Sequence, residues 1–325
     1  MQGDMEIVKV TNLKKTYGDL QAVKGISFGI KHGEIFGLLG PNGAGKTSTI
    51  NMLIGLSRPS SGEIIIDGMD AIKDIKKVQR LIGVIPDENN LYGEMSGFDN
   101  LCFCASLYGI GKREREKRAM ELLKQFGLIE AANRPFRTYS KGMKRKLTIA
   151  AGIIHQPKIL FLDEPTTGID VESTRQIRNL ILSLKNQGTT ILMTTHYIEE
   201  AERICDRIAF IVNGEIVRVG TVTELMESVD KEYKIKLQLD GNIKELKGVR
   251  EELENNFSNC KIKVLEQSSC LIMSKDPLPL SPILQILDSK GISVFEAKAI
   301  KPSLEDVFIT ITGIDVSKLQ KEKVS

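Results

Sequence analysis

One stretch, Gly40-Pro41-Asn42-Gly43-Ala44-Gly45-Lys46-Thr47, restricts what this chain can fold into more than any other. It fits G-x-x-x-x-G-K-[ST] and stands between the apolar run Glu34–Leu39 and a helical pattern that begins at Lys46, the context its mechanism demands. Glycines permit a backbone whose N–H groups converge on phosphate oxygens, and the following helix adds the positive end of its dipole. Lys46 is placed to reach the β- and γ-phosphates, and the Thr47 hydroxyl to ligate Mg²⁺. Phosphate binding alone leaves kinases, GTPases and many ATPases open. No Asn-Lys-x-Asp guanine-reading motif follows.

A second run, Ile159-Leu160-Phe161-Leu162-Asp163-Glu164-Pro165, reads as a buried strand ending in two adjacent carboxylates, where parallel sheets place their ligand sites. The two acids are assigned different tasks. Asp163 holds the Mg²⁺ shell, and Glu164 polarises the attacking water as general base.

Short strands are expected at 6–10 and 25–30, another at Glu63–Ile66 closed by an Asp67-Gly68 turn, and another at Leu81–Ile85. From about 90 to 155 the pattern is mostly helical. Three apolar runs, Ile159–Leu162, Thr189–Met193 and Ile208–Val212, then alternate with helical patterns at 171–186 and 197–205, which implies parallel strands joined by crossover helices. Strands pair around Asn213-Gly214, and a boundary falls near 221–231. Beyond it the order is strand 233–239, helix 243–255, strands 261–265 and 270–274, helix 281–289, strand 292–298 and helix 303–312, a ferredoxin-like βαββαβ unit followed by a last helix.

With 325 residues the chain has room for a domain of about 200 residues and a smaller one. Its 45 basic and 42 acidic residues balance to +3, which points to no nucleic-acid partner. The alternating run Lys112–Arg118 reads as a solvated helix face rather than a nucleic-acid patch. Five scattered cysteines without C-x-x-C spacing are expected to be reduced and small buried hydrophobes. The opening MQGDMEIVKV lacks a signal-peptide pattern, and no stretch approaches the ~20 apolar residues of a spanning helix. The chain is therefore expected to need a membrane partner for any transport role.

Between the two phosphate-handling motifs lies Tyr139-Ser140-Lys141-Gly142-Met143, followed by Lys144-Arg145-Lys146-Leu147, which resembles the signature of ABC ATPases, usually LSGGQ. Ser140 and the Gly142 backbone at a helix N-terminus form a second anion site suited to a γ-phosphate. Lys141 and Met143 depart from the usual glycine and glutamine. Tyr17 resembles the family's adenine-stacking aromatic, Gly168-Ile169-Asp170 its D-loop, and His196, after Thr194-Thr195, its switch histidine, which contacts the γ-phosphate and positions the catalytic water. Where the family usually has a glutamine that senses Mg²⁺ and the membrane partner, Asp87 follows Pro86 here; a carboxylate can still bind Mg²⁺, often through water. The end, Pro302-Ser303-Leu304-Glu305-Asp306-Val307-Phe308, looks like the extension of ABC ATPases paired with exporter-type permeases.

The resemblance implies an α/β P-loop ABC-type nucleotide-binding domain over 1–225, with a helical subdomain at about 90–155, and a small α+β accessory domain over 231–325. It implies ATP and Mg²⁺ as ligands, with Gly40 through Ser48, Tyr17, Asp87, Ser140, Gly142 and Asp170 around the nucleotide and Glu164 and His196 catalytic. One phosphate loop and one signature imply a second ATPase subunit, head to tail, and integral-membrane permease subunits driven from the cytoplasmic face. Two other readings compete. An ABC ATPase acting on DNA or ribosomes conflicts with the short interval from Lys46 to Ser140 and with the single core. A module that holds ATP without hydrolysing it conflicts with the presence of Glu164 and His196.

Overall fold

The computed structural model describes residues 5–88, 90–227, 233–240, 257, 260–266, 268–300 and 303–314. The helix expected over 243–255, the Asp230–Glu232 boundary and Pro302 lie outside them. The chain divides into a first unit, made of Met1–Val222 together with Ile311–Ser325, and a second of Thr223–Thr310.

The first unit is built on two sheets. One is antiparallel, in the order β2-β1-β4-β5, from β1 (Glu6–Tyr17), β2 (Leu20–Lys31), β4 (Ser61–Ile66) and β5 (Met69–Asp70). The first two strands run well past the 6–10 and 25–30 expected from pattern, because register shifts let them bend and continue where alternation breaks, as around Asn12 with φ 47°. Asp67 and Gly68, at φ 49° and 76°, make the two-residue turn from β4 to β5 that needs left-handed backbone at both positions.

The other sheet has the order β10-β9-β3-β8-β7-β6, from β3 (Ile35–Leu39), β6 (Ile82–Ile85), β7 (Ile159–Asp163), β8 (Thr190–Thr195), β9 (Arg207–Val212) and β10 (Glu215–Thr221). All but β10 run parallel to their neighbours. Every residue of β3, β7 and β8 is buried, as continuous apolar strands are when covered on both faces. The phosphate loop leads from β3 into α1 (Lys46–Leu53). After a one-turn α2 (Ile75–Val78), α3 (Gly97–Leu107), α4 (Lys112–Gln125) and α5 (Lys141–Ile153) form a helical region between β6 and β7; α6 (Val171–Asn186) joins β7 to β8, and α7 (Ile198–Ile204) joins β8 to β9.

After α8 (Val222–Glu227) the second unit carries β11 (Tyr233–Asp240), β12 (Lys261–Glu266), β13 (Ser269–Ser274), α9 (Leu280–Ser289), β14 (Ser293–Ile300) and α10 (Leu304–Thr312). Its sheet is antiparallel in the order β12-β13-β11-β14, the ferredoxin-like arrangement of the second, third, first and fourth strands. Ile235, Leu237, Leu239 and Ile272 on one face pack with Ile283 and Leu287 of α9. Of the five cysteines, all free, Cys205, Cys260 and Cys270 are buried, whereas Cys102 and Cys104 on α3 are half-buried rather than core residues.

Candidate nucleotide site

Parallel register brings the chemistry to one edge. Ile85 pairs with Leu162, Asp163 with Thr194, and Leu39 with Thr195. The residues that follow each strand, Asp87, Glu164, His196 and the loop from Gly40, therefore leave the sheet together at its carboxyl end. A pocket of about 330 Å³ there is lined by Tyr17, Leu20, Ala22, the whole loop Asn42–Ser48, Asp87 and Glu164. Gly45 at φ 101° sits so close to β2 that a Cβ would lie 2.6 Å from the Ala22 carbonyl oxygen; only glycine fits that turn into α1.

Lys46 is buried and folded back over its own loop, donating from Nζ to the Gly40 carbonyl at 2.7 Å and the Pro41 carbonyl at 3.1 Å. The same ammonium lies 3.3 Å from Glu164 Oε1. His196 Nδ1 donates to Glu164 Oε2 at 2.9 Å, since an ionised carboxylate can only accept, and the Thr167 hydroxyl donates to that oxygen at 3.1 Å. Burial alone would raise the Glu164 carboxyl, but the His196 hydrogen bond and the Lys46 charge outweigh it and hold it below the usual carboxylate range.

Asp163 behaves in the opposite way. Burial pushes its carboxyl up, against hydrogen bonds from the Thr194 and Thr47 hydroxyls, and the nearby charges of Glu164 and Asp87 push it further. The Thr194 hydroxyl links the two acids: it donates to Asp163 Oδ1 and accepts from the Glu164 backbone N–H at 3.1 Å. Asp163 and Thr47 form a hard oxygen donor set of the kind Mg²⁺ takes from protein when phosphates supply the rest. Among the described residues no three His, Cys, Asp or Glu side chains converge on a preformed metal cage.

Tyr17, the last residue of β1, is 46% exposed at the pocket rim. The Lys15 ammonium lies 4.7 Å from its ring centroid, and its hydroxyl is 3.4 Å from Ser57 Oγ. Ser140, Gly142 and Asp170 are not among the pocket's lining residues. They sit instead at the starts of α5 and α6, where Gly142 faces Ser173 and Asp170. Ser140 caps α5 by accepting from the Met143 N–H at 3.2 Å, Asp170 caps α6 by accepting from the Ser173 N–H at 2.8 Å, and a Cβ on Gly142 would lie 2.1 Å from Ser173 Oγ.

Arg145 was not singled out from sequence, yet it is buried beside the acids, and its guanidinium donates to carbonyls on both the Pro86-Asp87 and Asp163–Pro165 segments. The signal was present: Gly142, Arg145 and Ile149 share one helical face, which places a charge on the side that α5 buries.

A parallel-sheet ATPase core with a glycine-rich phosphate loop, paired strand-end carboxylates and a second capped helix N-terminus defines an ATP-binding cassette. The ABC transporter family model matches residues 23–167. The chain belongs to this family and is one of its ATP-binding, ATP-hydrolysing subunits. It is 37% identical over 307 residues to the linearmycin resistance ATP-binding protein LnrL of Bacillus subtilis, covering 94% of this chain and 98% of LnrL. It is 36% identical over 317 residues to the doxorubicin resistance ATP-binding protein DrrA of Mycobacterium tuberculosis, covering 96% of this chain and 95% of DrrA. Among solved structures, the dimeric ATP-binding cassette MJ0796 bound to ADP and Pi is 29% identical with a TM-score of 0.61, over 66% of this chain and 98% of that one.

Proposed function

We propose that the chain hydrolyses Mg²⁺-bound ATP in the pocket between Tyr17 and Glu164, as one of two head-to-tail subunits that drive an integral-membrane permease from the cytoplasmic face, in the direction of export. The observation that carries the reading is the buried contact of Glu164 with both Lys46 and His196 beside the phosphate loop. Tyr17 stacks on adenine, and the amides of the loop from Gly40 to Ser48 hold the phosphates. Lys46 exchanges Glu164 and its loop carbonyls for β- and γ-phosphate oxygens. Glu164 then takes the proton of the attacking water while His196 fixes the carboxylate's direction, as phosphoryl transfer needs an oriented nucleophile. Asp163 and Thr47, with Asp87, would hold Mg²⁺, whose charge would offset that of the phosphates.

Support for the pair comes from Ser140, Gly142 and Asp170, which all lie outside the pocket lining and so suit the γ-phosphate of a second copy. The solved MJ0796 relative is itself dimeric. Among the described residues no helix is long and apolar enough to cross a membrane, which fits a separate permease. The resistance named for LnrL and DrrA favours outward movement of the transported molecule. Residues 231–325 form an accessory domain that stabilises or regulates the pair. The test is sedimentation of a Glu164→Gln chain with and without ATP. A doubling of mass with ATP, removed by Ser140→Arg, is expected; a monomer with ATP bound would sink the paired reading. Steady-state phosphate release from the unmodified chain separates hydrolysis from mere binding.

A further inference from the structure

Arg145 lies on α5 five residues beyond Ser140 and is only 5% exposed. Its side chain donates to four main-chain carbonyls: Nε to Pro165 at 2.9 Å, Nη2 to Asp163 at 2.7 Å, and Nη1 to Pro86 and, at 3.3 Å, to Asp87. The Asp163 and Pro165 carbonyls flank Glu164. That residue has φ 47°, a left-handed conformation that a residue with a Cβ keeps only where its surroundings over-determine it. Burial lowers the guanidinium to about 10, against the charges of Asp87, Asp163 and Glu164, so it stays a cation at neutral pH. A planar fork of five donors suits this task; a lysine brings the charge without the span.

We propose that Arg145 is a positioning residue for hydrolysis: it holds the main chain on both sides of Glu164 and the Asp87 loop in one frame with the signature helix. The Glu164 carboxylate thereby keeps its aim at Lys46 and His196, and a displacement of α5 reaches both segments through one side chain. This inference rests on Glu164 being the general base.

The experiment uses the full chain carrying Arg145→Lys or Arg145→Gln, each alone and combined with Glu164→Gln, with kcat, the KM for ATP and the melting temperature measured for all. Misaiming the base by around an ångström should lower kcat on the order of 10- to 100-fold. The KM for ATP should stay within about threefold, because the phosphate contacts are untouched. Added to Glu164→Gln, neither Arg145 variant should reduce turnover further, since residues that act as a unit are non-additive. The same fold loss in both backgrounds would assign Arg145 to general packing and overturn the proposal. So would unchanged turnover in both Arg145 variants, or failure of both to fold. The single Glu164→Gln chain tests the parent reading by itself: unchanged turnover there removes Glu164 from the base role, whatever the Arg145 chains do.

Discussion

Lys46 Nζ lies 3.3 Å from Glu164 Oε1, so the lysine of the phosphate loop and the carboxylate that follows β7 form a buried ion pair. Each neutralises the other in a buried place where an isolated charge would be costly. On the mechanism proposed above, a nucleotide would do two things with one displacement: recruit the lysine and release Glu164.

Replacing the Glu164 carboxylate at constant size tests that proposed exchange. Glu164→Gln should slow steady-state hydrolysis by on the order of 10²–10⁴-fold while leaving contacts from Lys46 and Thr47 available. ATP should accumulate on the protein, read as nucleotide recovered per chain after rapid gel filtration. Near-normal turnover would take Glu164 out of the chemistry, and slow turnover with no bound ATP would mean structural damage.

Asp163 predicts a conflict between stability and function. Its carboxyl is raised in the folded chain, so its unfavourable burial is absent at low pH and sets in as pH rises through the raised range. Asp163→Asn should therefore raise the melting temperature of the nucleotide-free chain at neutral pH, on the order of 2–4 °C for each kcal/mol relieved, while abolishing Mg²⁺-dependent hydrolysis. The stabilisation should fade as the melt is repeated at progressively lower pH. A lower melting temperature for Asp163→Asn at neutral pH would contradict the account.

At the pocket rim, Tyr17→Ala should weaken ATP binding by about 3- to 10-fold, the worth of one aromatic stack, with kcat nearly unchanged. Tyr17→Phe should bind like the parent, since the ring and not the hydroxyl does the stacking. Calorimetric titration with ATP on a Glu164→Gln background measures both without turnover.

Gly142 leaves no room for a side chain. A Cβ there would meet Ser173 Oγ at 2.1 Å and Ser173 Cβ at 2.7 Å. Gly142→Ala should cost about 1–3 kcal/mol through overpacking, seen as a lower urea midpoint, and adding Ser173→Gly should recover most of it. No recovery in the double variant would show that the strain lies elsewhere.

The phosphate loop, the two acids and His196 were legible in sequence because each is fixed by a local pattern at a strand end, and parallel register carries such patterns to one edge. The signature and Asp170 were legible as motifs, but their separation from the pocket depends on how α5 packs on α6, which no local spacing states. Arg145 stayed hidden for another reason. Its partners are backbone carbonyls, which every residue has, so nothing at positions 86, 87, 163 or 165 marks them as its acceptors. The long β1 and β2 were cut short because alternation fails at the register shifts that let those strands bend.

Strands β6 and β7 are neighbours in the sheet although the chain leaves at Ile85 and returns only at Ile159. Their pairing asks nothing of most residues between, so that excursion is where a lineage can lengthen, shorten or rewrite a helix without disturbing the sheet. Arg145 sets the limit of that licence: insertions ahead of α5 are tolerable, but one that turned α5 by a third of a turn would carry the guanidinium off the main chain it grips. Divergence among close relatives should accordingly crowd into α3 and α4 and thin out from Ser140 onward.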